Sequence, residues 1–164
     1  ITYKETVALI ERIRQEVPGI HLRTTLMVGF PGEDEEAYRH LVNFVKEMRF
    51  ERMGAFAYSE EEGTFAAKHF ADSISEEVKA QRLDELMQIQ EQISQEIQEE
   101  KIGKTLKVII DTDDSNYYYG RTQWDSPEVD PEVLIAKDQK LEIGNFYQVE
   151  ITDATPFELF GKVV

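Results

Sequence analysis

A short apolar run, Leu26-Met27-Val28, passes directly into the turn Gly29-Phe30-Pro31-Gly32 and then into the acids Glu33, Asp34, Glu35 and Glu36. An apolar run without polar alternation, closed by a glycine–proline turn, suits a strand of residues 22–29 covered on both faces. The turn then falls at the carboxyl end of a parallel strand. Ligands of α/β sheets bind at that end, where the turning backbone offers N–H groups beside a helix N-terminus. Two glycines permit a tight turn and a close backbone approach, and Pro31 fixes one dihedral. A plain strand-to-helix connection uses the same residues, so the turn alone admits either reading.

The flanking segments place this strand in an α/β unit. Thr2 is a helix cap for a stripe of Tyr3, Val7, Ile10, Ile13 and Val17 that ends before Pro18-Gly19. Glu33 or Asp34 opens a second helix with Ala37, Leu41, Phe44, Val45 and Met48 inward, and Glu33 to Glu36 in its first turn complement the helix dipole. Met53 to Tyr58 is a further short strand. The order helix, strand, helix, strand implies parallel strands joined by right-handed crossovers. Two strands do not complete such a sheet, so an upstream part of the same polypeptide is expected, and with it either self-association of the fragment through its open edge or weak protection there. Tyr58 and Ser59 fall on the same rim as the glycine turn. There the Tyr58 ring stacks on a base, its hydroxyl bonds a polar ligand, or it is a core tyrosine. Arg23 falls at the far end of the strand or in a surface ion pair.

A polar loop, residues 59–72, leads to a long helix capped by Ser75, with Glu76 and Glu77 in its first turn and Leu83, Leu86, Ile89, Ile93 and Ile97 as its stripe. Gly103 ends it. Beyond lie segments rich in Val, Ile, Tyr and Thr: Leu106, Val108 and Ile110 alternate, Asp111 to Asn116 turn, and Tyr117–Thr122, Val133–Ala136, Phe146–Thr152 and Phe157–Val163 follow as strands. Five short strands predict a small closed barrel of the oligonucleotide-binding type, although an open sheet leaves the same trace. The expected fold is thus α/β plus β. Its parts are a partial α/β barrel (residues 1–74), a long linking helix (75–102) and a five-stranded β-barrel (103–164).

Charge and composition narrow the function classes. Eighteen basic against 33 acidic residues give a formal charge of −15, which repels a phosphate backbone and favours a basic protein partner. Tyr117, Tyr118, Tyr119, Arg121 and Trp124 set aromatics beside a cation, as single-strand binders do. Yet the module from Gly103 onward has six Lys or Arg against twelve acids, which argues against phosphate tracking. No apolar run approaches the roughly 20 residues of a membrane span, and a cytoplasmic location is expected. Cysteine is absent, which excludes a disulfide framework, a thiolate zinc site or an iron–sulfur cluster held by this segment alone. His21, His40 and His69 lack second ligands at metal spacing, and no nucleophile–base pair stands out.

Arg23-Thr24-Thr25-Leu26-Met27-Val28-Gly29-Phe30-Pro31-Gly32-Glu33 resembles the strand and loop motif of the radical-SAM methylthiotransferases. Ala57-Tyr58-Ser59, followed by Glu62-Gly63-Thr64 and Ala66-Ala67, resembles their next strand and loop. The last segment resembles the TRAM domain of these proteins, and Gly120-Arg121-Thr122-Gln123-Trp124-Asp125-Ser126-Pro127-Glu128-Val129-Asp130 is similar to the RimO branch, which methylthiolates an aspartate of the small-subunit ribosomal protein S-twelve. The resemblance implies S-adenosylmethionine and two 4Fe–4S clusters as cofactors of the parent enzyme. It puts Gly29, Phe30, Pro31, Gly32 and Glu33 near bound S-adenosylmethionine, with Tyr58 and Ser59 on the adenine side. It also implies substrate recognition by the TRAM domain, for which Tyr119, Arg121, Trp124 and Glu128 are the candidates. The cluster ligands of that family are cysteines, and this chain has none. The fragment alone is therefore expected to be inactive. A tRNA methylthiotransferase of the same superfamily and a non-catalytic RNA-binding TRAM module are the alternative readings.

Overall fold

The computed structural model describes residues 2–127 and 129–164. Glu128, one of the substrate-contact candidates, lies outside the described residues. The chain forms two compact units, Ile1–Ile93 and Ser94–Val164. Helix α4 (Glu76–Glu99) runs through the division. No helix among the described residues is long and apolar enough to cross a membrane.

In the first unit, helix α1 (Tyr3–Glu16) starts with a capping box in which Thr2 and Glu5 satisfy each other's backbone N–H. Arg14, in its last turn, donates to the carbonyls of Met48 (2.5 Å) and Arg49 (3.0 Å) at the end of helix α2 (Glu35–Met48). It also pairs with Glu51 at 3.1 Å, and Glu51 accepts the Leu22 N–H just before strand β1 (Arg23–Val28). One guanidinium thus closes a helix end and locates a strand start. Asp34 is the cap of α2, accepting from the Ala37 N–H at 2.8 Å. The inward face of α2 is Tyr38, Val42, Val45 and Met48. Leu41 and Phe44 are half-buried and Ala37 is exposed, so the stripe read from the sequence was rotated, because Tyr38 carries its polar tip inward.

Strand β1 pairs with β2 (Arg52–Ala57) in parallel, from Arg23 opposite Arg52 to Val28 opposite Ala57. The expectation of a strand covered on both faces is corrected by the exposures along it. Val28 is fully buried, whereas Met27 is 39% exposed and its partner Phe56 46%. The pleat sends Thr25, Met27, Gly54 and Phe56 to one side, and among the described residues that side carries no covering layer. The 59–72 segment, expected as a polar loop, contains a short helix, α3 (Phe65–His69). Helix α4 buries Lys79, Arg82, Leu86, Gln90 and Ile93, a continuous face at three- and four-residue spacing. Of the expected stripe only Leu86 and Ile93 are fully buried, because the helix turns polar positions inward on either side of them.

The second unit is a closed barrel of β3 (Thr105–Asp113), β4 (Tyr117–Arg121), β5 (Glu132–Ala136), β6 (Phe146–Ala154) and β7 (Glu158–Val163). Its order is β3-β4-β5-β7-β6, with β5 and β7 parallel and the other pairs antiparallel. Closure resolves the choice between barrel and open sheet. Val108, Ile110, Tyr118, Val133, Ile135, Val149, Ile151 and Leu159 fill the interior from alternate positions, as period-two patterning requires. The interior is narrow at two glycines. A Cβ on Gly161 would overlap Val149 Cγ1 and stand 2.9 Å from the Glu150 carbonyl, and one on Gly120 would overlap Val108 Cγ1 and the Ile109 carbonyl.

The hairpin tip joining β3 to β4 is held by Asp114, which accepts from the N–H groups of Asn116 (2.7 Å) and Tyr117 (2.8 Å) and from the Tyr119 hydroxyl (2.9 Å). These donors, the backbone N–H of Tyr117 first, hold its carboxyl below the usual aspartate range.

Two outcomes follow for denaturation experiments. Gly161→Ala lowers stability by about 1–3 kcal/mol through overpacking, whereas Gly54→Ala, with open space at its Cβ, stays within about 0.5 kcal/mol of the parent. Because the folded-state pKa of Asp114 is depressed, its contribution is present above the unfolded value and is lost as pH falls through the folded one. Asp114→Asn flattens that acid limb in a pH series of melts.

Candidate functional site

The turn after β1 is shaped by two left-handed glycines, Gly29 at φ 77° and Gly32 at φ 91°. Gly29 is fixed from two sides. Its N–H donates to Glu33 Oε1 at 2.9 Å, and a Cβ there would stand 2.5 Å from Cγ of Lys79. Glu33 in turn donates its own N–H to the Phe30 carbonyl at 2.9 Å, closing the turn. Arg82 Nη1 then binds both the Glu33 carbonyl (3.0 Å) and Glu33 Oε1 (2.8 Å). Glu33 and Arg82 are nearly buried, with side chains 12% and 10% exposed. Glu33 therefore works as a brace for the turn, and the first-turn dipole role expected for it belongs to Glu35 and Glu36 alone. The N–H groups of Gly29 and Glu33 are engaged within the turn.

Arg82 and Lys79 lie on one face of α4 and link this turn to the next strand end. The Arg82 guanidinium lies 5.1 Å from the Tyr38 ring, and the Tyr38 hydroxyl donates to the Arg82 carbonyl (3.0 Å) and to Glu85 (3.1 Å). Burial, with the Glu85 carboxylate second, pushes the Tyr38 hydroxyl above its ordinary range. Lys79 is only 1% exposed and donates to Asp72 (2.5 Å) and Glu76 (2.7 Å), and these carboxylates, Asp72 first, raise its pKa. Its ammonium is 5.4 Å from the Tyr58 ring. Tyr58 follows β2 directly, donating its N–H to the Val28 carbonyl at 2.8 Å, so both strand ends meet at one rim.

Aromatic rings line that rim. Phe30 meets Tyr58 edge-on at 5.2 Å and Phe70 at 5.9 Å, and Phe65 lies 6.1 Å from Phe70. Phe30, Phe65 and Phe70 are 39%, 69% and 43% exposed. Tyr58 is 6% exposed, and its hydroxyl is buried without a hydrogen-bond partner among the described residues. Burial first, and then the nearby Glu60 and Asp72 carboxylates, raise that hydroxyl's pKa. Pro31 is half-buried, while Gly32 and Ser59 are exposed on the same rim. The structure thus gathers Gly29 to Glu33 with Tyr58, and places Arg23 at the opposite strand end.

Lys79, Arg82, Phe65 and Phe70 were missed in the sequence. The usable signal for the two cations was their spacing from Leu86, Gln90 and Ile93, which continues one helical face.

In the barrel unit, Tyr119 and Arg121 lie on β4, half-buried, tied to Asp114 and Asp111 at 2.9 Å each. Trp124 sits in the following segment, 5.5 Å from the Lys101 ammonium. Asp125 and Asp130 shape that segment through Thr122 (2.5 Å) and the Ser126 N–H (2.7 Å).

Gly29→Ala is expected to lower the melting temperature more than Gly32→Ala. Both bear the left-handed penalty of about 1–2 kcal/mol, and only Gly29 also displaces the stem of Lys79. Thermal melts of the two variants check the order.

Comparison with known proteins matches residues 102–164 to the TRAM domain. Over the whole chain it is 62% identical to the ribosomal protein uS12 methylthiotransferase RimO of Phocaeicola vulgatus and 59% identical to that of Parabacteroides distasonis. Identity to the RimO of Christiangramia forsetii is 48% over 98% of the chain. The chain spans 38% of the length of the first two relatives and 36% of the third. Over its whole length the chain is similar to RimO-type methylthiotransferases, and its residues 102–164 match the TRAM domain.

Proposed function

We propose that the chain works as part of a radical-SAM methylthiotransferase that modifies an aspartate of ribosomal protein uS12. The observation that carries this reading is whole-chain identity of 59–62% to relatives bearing that name. In it, residues 1–74 contribute to the radical-SAM barrel, residues 75–102 link, and residues 103–164 form the substrate-recognition domain. Gly29, Phe30, Pro31, Gly32 and Glu33, with Tyr58 and Ser59, form one wall of the S-adenosylmethionine pocket. Tyr119, Arg121, Trp124 and Glu128 contact the protein substrate. The surplus of acids, −15 over the chain, suits a basic ribosomal protein.

The residues at the rim fit a nucleoside. The exposed Phe30 and Phe70 rings offer an apolar face, and the Tyr58 hydroxyl is a buried polar atom in need of a partner. Bound there, S-adenosylmethionine supplies the methyl group and the radical source. The chain's own residues bind and orient it: Gly32, with open space where a Cβ would stand, permits close approach, the aromatic rings exclude water, and Tyr58 presents a hydroxyl kept protonated by its burial. The iron–sulfur clusters find no ligands here. The sequence has no cysteine, and the described residues contain no group of three or more His, Asp or Glu able to hold a metal.

The test is mass spectrometry of uS12 incubated with reconstituted full-length enzyme or with the 164-residue chain alone. A methylthio adduct on aspartate is expected with the former and none with the latter. Binding of the chain to RNA with a steep salt slope, and no salt-sensitive binding to uS12, would sink the protein-substrate reading.

A further inference from the structure

We propose that Arg82 and Lys79 of α4 are positioning residues for the cofactor turn, acting through Glu33 and Gly29 rather than by touching the ligand. The inference rests on the reading of the rim as the S-adenosylmethionine pocket. Three observations carry it. Glu33 Oε1 is shared between the Gly29 N–H at 2.9 Å and Arg82 Nη1 at 2.8 Å, so one oxygen couples the first residue of the turn to the helix. Arg82 also holds the Glu33 carbonyl at 3.0 Å, which fixes the last residue of the turn. Lys79 lays its stem where a side chain on Gly29 would be, and its ammonium is held by Asp72 and Glu76 at 2.5 and 2.7 Å.

The consequence is a division of labour within the turn. Gly29 and Glu33 have their N–H groups engaged, and Phe30 lies between them with its ring turned to Tyr58 at 5.2 Å. With the ends clamped, the middle of the turn is held in one shape before any ligand arrives, which lowers the ordering cost of binding. Glu33, nearly buried and paired, then serves that pocket wall as its brace. Because both side chains of the ion pair are nearly buried, removing Arg82 leaves a largely buried carboxylate without its close cation, and the turn must rearrange to hydrate it.

The experiment uses the full-length holoenzyme. Titration calorimetry with S-adenosylhomocysteine is combined with amide hydrogen exchange over residues 29–33, for wild type, Arg82→Met, Arg82→Lys, Glu33→Gln and the Glu33→Gln/Arg82→Met pair. Arg82→Met is expected to weaken binding about tenfold, the equivalent of one charge-assisted hydrogen bond, and to accelerate exchange at Gly29 and Glu33. Arg82→Lys recovers part of both. The double variant binds no more weakly than Arg82→Met alone, since both changes break one linkage. Should Arg82→Met fail to fold, Glu33→Gln, which keeps an acceptor for Gly29 but loses the charge facing Arg82, is expected to show weaker binding and faster exchange. Unchanged affinity in a variant with accelerated exchange overturns the proposal, as does weakened affinity with unchanged exchange. Absence of binding by the wild type overturns the pocket reading and this proposal with it, whereas failure of the variants alone to show the effect leaves the pocket reading standing.

Discussion

A single carboxylate oxygen, Oε1 of Glu33, organises the first unit. It receives a backbone N–H from the start of the glycine turn and a guanidinium N–H from a helix more than forty positions further on. Such a pair in near-dry surroundings adds little net stability over an apolar substitute, but it tolerates no half-measures, because either partner alone is a buried charge. Its value is specificity of shape. The turn, the start of α2 and the first turns of α4 are brought to one geometry by it, and the stem of Lys79 occupies the space that the missing side chain of Gly29 leaves.

The barrel unit reaches definition by a different route. Closure of five strands removes free edges, so no charged pair is needed to hold strand order. What limits it is width: Gly120 and Gly161 let backbones pass where a methyl would collide with a carbonyl, and bulges after Ile110 and Ile151 bend β3 and β6 to complete the ring. The ion pairs of this unit, such as Arg121 with Asp111 and Lys162 with Glu150, lie on its partly exposed outside. There they add solubility and local order more than stability.

Much of this was legible from the residues. Period-two alternation at Leu106, Val108 and Ile110 located the barrel wall, and the Thr2 and Ser75 caps located two helix starts, since these signals are local. The turn at Gly29–Gly32 was legible for the same reason. The covering of the β1–β2 sheet was misread, because an apolar run tells that a strand is buried somewhere and not within how many residues. The inward cations of α4 were misread more deeply. Hydrophobic periodicity assigns charged positions outward, and only the three-dimensional meeting of Lys79 with Gly29 and of Arg82 with Glu33 reverses that rule.

The clamp on the turn also sets the length of chain that the turn requires. A polypeptide ending before Ser75 would retain both strands, both glycines and Glu33, yet its Glu33 would face solvent where Arg82 now stands, and the hollow beside Gly29 would fill with water. The recognisable motif is a handful of residues long, whereas the piece of chain that gives it a fixed shape extends through Ile93. A minimal binding element cut to the motif would carry its signature and lose its form.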